Sequence, residues 1–131
     1  MAILLTDAGK QKALEYLVGK NTTTESLILK LYSNDYAPDI EDTLDDYVEV
    51  TTANGYAAKG LSLAQWSVAA GSAVYPQQTW TFTGAAGNIY GYYAISSLAN
   101  EVIFAERFSG APYTVATNGD TIKVTLNLTL I

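Results

Sequence analysis

The chain contains neither cysteine nor histidine. Without thiols there is no disulfide and no thiolate metal site, so packing alone must hold the fold. Without imidazole the commonest general base and the commonest metal ligand are missing, and with them the Ser-His and Cys-His pairs that activate nucleophiles. Cations are scarce too: seven Lys and Arg against thirteen Asp and Glu leave a net charge of −6 and a pI near 4.3. Nucleic-acid binding needs clustered cations to displace counterions from phosphates, and this balance opposes it. No stretch of about eighteen unbroken apolar residues occurs, and the first apolar run, Met1 to Leu5, is too short for a signal-peptide core. The expectation is a soluble protein made in the cytoplasm, with no membrane or nucleic-acid partner.

What is present is material for a core. Of 131 residues, 49% are hydrophobic and only 15% charged, far from the composition of disordered chains. A chain this long buries roughly two thirds of its unfolded surface. No internal repeat, linker or low-complexity segment divides it, so one β-rich domain covering residues 1–131 is expected.

Thr6 and Asp7 can each cap a helix, and Leu14, Leu17 and Val18 recur on one side of the following residues. The spacing predicts a helix over residues 7–18, stopped by Gly19 and Asn21, whose narrow apolar stripe docks onto a sheet. Leu27 to Ser33 alternates, with Leu27, Leu29 and Leu31 on one face, as in a strand. Residues 34–52 hold Pro38 and seven carboxylates, six of them within residues 39–49, and read as an acidic loop with one helical turn near Leu44. From Tyr56 onward, short β-like runs alternate with turn residues at the intervals of all-β sandwiches and barrels. They cover Gly60–Val68, Ala73–Thr83, Ile89–Ser96, Val102–Arg107 and Thr121–Leu130. Ser97–Asn100 can close a hairpin, and Asn118-Gly119-Asp120 introduces the last strand, which alternates most cleanly of all.

The only concentrated chemistry is the carboxylate set Asp39, Glu41, Asp42, Asp45, Asp46 and Glu49. Calcium takes oxygens from such loops, but the central glycine of the twelve-residue calcium loop is missing. Glycoside hydrolysis needs two carboxyls across a cleft, one in an apolar pocket that raises its pKa, and a polar loop does not supply that. The simpler reading is a solvated or partner-facing loop. Ten tyrosines and two tryptophans would suit sugar stacking, yet strands favour aromatics anyway, and Tyr is common in protein interfaces. No Gly-x-Ser-x-Gly elbow or phosphate loop occurs, and the Asn-x-Thr sequons at Asn21 and Asn127 read as chance matches. Within Glu106-Arg107, strand alternation turns the two side chains to opposite faces, and a buried one would need a partner. An enzyme is therefore not expected, nor a metal or a cofactor.

Several short motifs together resemble a group of small tailed-bacteriophage virion proteins, the capsid decoration or cement proteins. They are Leu4-Leu5-Thr6-Asp7-Ala8-Gly9, Leu29-Lys30-Leu31-Tyr32-Ser33-Asn34-Asp35 before Pro38, Gly55-Tyr56, and Trp80-Thr81-Phe82. Ile89-Tyr90-Gly91-Tyr92-Tyr93, Phe104-Ala105-Glu106-Arg107-Phe108 and Asn118-Gly119-Asp120-Thr121 complete the set, which spans nearly the whole chain. The residues read as a mainly β fold with one N-terminal helix, and the resemblance implies that it is a β-sandwich or jelly-roll-like domain. It further implies a location on the virion capsid, the major capsid protein as partner, and a homo-oligomer, a trimer by preference. On this reading the acidic loop and the N-terminal segment make the contacts. The alternatives are a tail or neck structural protein and a host-surface glycan-binding module.

Overall fold

The computed structural model describes residues 3–23 and 25–129. Thr6 starts the helix α1, Asp7–Leu17: its hydroxyl accepts from the Gly9 amide at 3.0 Å, and Asp7 sits in the first turn, where a carboxylate opposes the helix dipole. Gly19, at φ 75°, ends it in a Schellman turn, with Gly19 N–H donating to Tyr16 O at 3.3 Å and Lys20 N–H to Glu15 O at 2.8 Å. The helix bounds thus match those read from the sequence to within a residue.

Among the described residues there are ten strands. They are β1 (Leu4–Leu5), β2 (Leu27–Tyr32), β3 (Lys59–Leu61), β4 (Ser67–Ala69), β5 (Ser72–Thr81), β6 (Gly87–Ile89), β7 (Gly91–Ser96), β8 (Val102–Arg107), β9 (Tyr113–Val115) and β10 (Thr121–Thr129). Sheet A has the order β1-β8-β7-β2-β3, sheet B the order β10-β5-β4, and β6 and β9 form a third, two-stranded sheet. All pairings are antiparallel. The fold is mainly β, a β-sandwich with a helix near the N-terminus, and its five-plus-three division departs from the paired four-stranded sheets of a jelly roll.

The principal core includes Leu29, Leu31, Tyr92 and Phe104 from sheet A and Trp80 and Leu126 from sheet B. Strand β10 shows why the alternation was legible: Ile122, Val124 and Leu126 are buried while Thr121, Lys123, Thr125, Asn127 and Thr129 are exposed. Leu130, the last apolar position of the predicted strand, lies outside the described residues. Pro76 cannot donate to a ladder, and β5 accommodates it at a register shift, where Gln78 faces Val124 but Tyr75 already faces Leu126.

Four expectations need correction. The run Gly60–Val68 is not one strand: β3 belongs to sheet A and β4 to sheet B, and a 3₁₀ turn at Leu63–Gln65 carries the chain between them. Ile89–Ser96 is broken at Tyr90, whose N–H leaves the ladder to donate to Tyr32 O at 3.0 Å. The short strands β1 and β9 were not expected at all.

The fourth correction concerns α1. Leu14, Leu17 and Val18 do not dock; they stand 61%, 79% and 67% exposed. The face toward the sandwich is instead Gly9, Lys12 and Ala13. Gly9 lies so close to β8 that an added Cβ would sit 2.2 Å from Ile103 O, so the helix can only approach here because Gly9 has no side chain.

Candidate functional site

The acidic loop leaves and rejoins the sandwich at one place. Ser33 N–H donates to Val48 O at 2.8 Å, Val50 N–H to Leu31 O at 3.0 Å, and Tyr32 bridges to Glu49, so residues 34–47 form a tip on a short backbone stem. The helical turn expected near Leu44 is present as a 3₁₀ turn, Leu44–Asp46, with a capping box between Thr43 and Asp46.

The tip folds back over the face of sheet A opposite the principal core. There Tyr32, Tyr47, Tyr93, Ile95, Val102 and Ala105 form a second buried cluster. Tyr47 stacks on Tyr93 at 4.6 Å between ring centroids, and meets Tyr32 edge-on at 5.0 Å and Tyr36 at 5.4 Å. Asp42, 8% exposed, ties this layer together. Its carboxylate accepts from the Tyr47 hydroxyl at 2.6 Å, from Asp39 N–H at 2.8 Å and from the Tyr36 hydroxyl. Burial pushes the Tyr32 phenol up to about 12. The Tyr47 phenol is raised further, first by burial and then by its bond to Asp42, while for Tyr36 that bond is the leading cause.

The six carboxylates singled out from the sequence therefore divide. Asp42 is buried in the tyrosine layer, Asp46 caps the Thr43 N–H at 2.8 Å, and Glu49 accepts from Tyr56 at 2.8 Å and pairs with Lys30 at 3.2 Å. Asp39, Glu41 and Asp45 are exposed, beside the exposed apolar side chains of Ile40, Leu44 and Val48. Among the described residues, no three His, Cys, Asp or Glu side chains are gathered so that they could hold a metal ion. The remaining charged residues noted in the sequence are paired: Arg107 meets Asp35 at 2.7 Å and lies over the Tyr90 ring, and Glu106 accepts from Tyr92 on the opposite face of β8.

A second region was not legible in advance. Between α1 and sheet B opens an apolar groove of about 430 Å³, bounded by Leu5, Ala13, Leu27, Trp66, Val68 and Leu128. At its mouth Glu25 accepts from Ser96, from Lys12 at 3.2 Å and from Tyr16 at 3.1 Å, and the Ser96 bond leads in holding its carboxyl below the usual range. Leu63 and Val68 are exposed at this groove, and Leu14, Leu17 and Val18 are exposed on the helix that forms one wall. Its sequence signal was faint because the residues that shape it, Gly9, Ala13 and Gly71, carry almost no hydropathy.

Of the ten tyrosines, Tyr32, Tyr47, Tyr56, Tyr75, Tyr92 and Tyr93 are buried, Tyr36 and Tyr90 are half-buried, and Tyr16 and Tyr113 are exposed. Among the described residues no helix is long and apolar enough to cross a membrane. Compared with protein-family models, curated proteins and solved structures, the chain matches none of them.

Proposed function

We propose that this chain is a non-catalytic virion structural protein, a capsid decoration protein that binds the major capsid protein of a tailed bacteriophage and stabilises the shell in several copies. One observation carries the adhesive part of this reading. Large apolar side chains stand exposed on α1 (Leu14, Leu17, Val18) and around the groove (Leu63, Val68), while three of the six loop carboxylates, Asp42, Asp46 and Glu49, are engaged within the fold. Exposed apolar clusters of this kind mark protein contacts. The outward part of the acidic loop, Asp39, Glu41 and Asp45 with Ile40, Leu44 and Val48, offers a second contact of mixed character, suited to a wet interface. Many copies on one lattice gain avidity even when each contact is weak. The motif resemblance supplies the identity of the lattice.

The test is to mix the purified chain with shells lacking it and to measure occupancy by electron microscopy and shell survival on heating. Binding with raised survival is expected. Leu17→Lys should weaken binding roughly tenfold with an unchanged melting temperature, since exposed substitutions seldom alter stability. Shells that never acquire the protein would end the proposal, and density in the tail or neck would favour the tail reading. The glycan reading is weakened by the burial of six tyrosines, which leaves few rings free to stack on sugar.

A further inference from the structure

Strand β10 ends sheet B, and among the described residues its backbone pairs with β5 alone. An unpaired strand edge presents a row of N–H and C=O groups that recruits another strand, so proteins blunt such edges with short length, proline, bulges or several charges. Here those guards are almost absent. β10 runs nine residues without proline, alternates exposed and buried positions along its length, and carries Lys123 as its only charged side chain. The irregularity that admits Pro76 falls on the neighbouring β5. Nor is the edge shielded: along Asp120–Lys123 it opens onto a cleft of about 600 Å³ whose other wall is Tyr113, Thr114 and Val115 of β9. Successive strand residues point to opposite faces, so a cleft lined by consecutive residues on both walls runs along two backbone edges.

We infer that β10 pairs antiparallel with β10 of a second copy of this chain, about a two-fold axis at Thr125, joining two three-stranded sheets into one of six. An axis at Thr125, the midpoint of Thr121–Thr129, pairs the full length of the strand, and the charge pattern is compatible with it. Lys123 then faces Asn127 of the second copy and Thr121 faces Thr129, whereas an axis at Lys123 would set two ammonium groups directly opposite, which is destabilising. Such an interface uses the same surface on both copies and closes at two. In each copy the cleft beside β9 receives the C-terminal half of the other copy's strand. The inference stands on the edge geometry and does not depend on a capsid role.

The absence of native cysteine makes the test direct. Across the proposed axis the two Thr125 Cβ atoms lie about 5 Å apart, close to disulfide reach, whereas two Thr121 residues lie about 27 Å apart at the strand rise. Under mild oxidation Thr125→Cys should cross-link about tenfold faster than Thr121→Cys or the exposed control Val68→Cys. Equal rates would overturn the inference. In sedimentation of the unmodified chain, a dimer should appear as concentration approaches about 1 mM, and Thr125→Lys should weaken it about tenfold with the melting temperature unchanged. A monomer throughout, or a dimer lost in Leu17→Lys and kept in Thr125→Lys, would equally overturn it. No shell enters these measurements, so their failure leaves the decoration proposal standing, and the reverse also holds.

Discussion

Sheet A is closed on both faces, by different chemistry. Its inner face meets sheet B through Leu29, Leu31, Tyr92 and Phe104, packed against Trp80 and Leu126. Its outer face is closed by a loop whose tyrosines converge on one buried carboxylate, Asp42. The inner contact is non-directional and tolerates small shifts, because burial scales with area. The outer one is directional: each hydroxyl must find its oxygen, and an unmet buried partner costs more than the bond contributes. A fold can thus close a sheet with a loop that has few aliphatic residues, provided its polar groups satisfy one another.

The difference can be tested from the strongest effect downward. Phe82→Ala, at a fully buried inner position, should lower stability by about 4 kcal/mol in a denaturant melt, leaving the outer tyrosine layer otherwise native. Asp42→Ala should cost about 3 kcal/mol, since it orphans two hydroxyls and an amide. That change should also erase much of the near-ultraviolet tyrosine dichroism, which Phe82→Ala leaves largely intact; similar spectra from both variants would dissolve the distinction. Gly9→Ala sharpens it at the helix, where propensity alone predicts a gain of about 1 kcal/mol. The clash with Ile103 O should reverse that sign to a loss of about 2 kcal/mol.

The smallest effect per step is expected in alkali. Tyr32, Tyr36, Tyr47 and Tyr93 on the outer face, and Tyr56 and Tyr92 on the inner, all have phenols raised above the ordinary value near 10, with burial the leading cause in all but Tyr36. Folded phenols then stay neutral where unfolded ones ionise. Stability is therefore full below about pH 10 and falls above it, by about 1.4 kcal/mol per pH unit for each such tyrosine until its folded value is reached. Phenolate absorbance should show these rings ionising together with unfolding. Independent ionisation of all ten at ordinary pH would contradict the burial described here.

Much of the sandwich was readable because strand alternation survives in sequence. β10, β8 and the β7–β8 hairpin fall where Thr121, Val102 and Ser97–Asn100 placed them, and Thr6 and Gly19 marked the helix ends. The errors have a common physical source. Alternation cannot tell one strand from two that continue the same phase across a tight turn, which merged β3 with β4. Hydropathy weighs Leu14 and Leu17 heavily and Gly9 and Ala13 hardly at all, yet steric access decided which side of α1 docks. In the acidic loop the six carboxylates were legible as a group, but their division into buried and exposed was not. The interleaved Tyr36, Asp42 and Tyr47 held that signal, since phenols placed among carboxylates can bury them with their hydrogen bonds met.

The stem that ties Leu31–Tyr32 to Glu49–Val50 has a consequence for how such a chain diversifies. Because the intervening residues enter and leave at one point, their wording and length can drift as a cassette while the strand order beneath stays unaltered. Closing a longer tip costs only slightly more than closing a short one. The outward Asp39, Glu41 and Asp45 edge is therefore open to substitution without disturbing the strands, so long as Tyr36, Tyr47 and Asp42 remain to fasten the tip down.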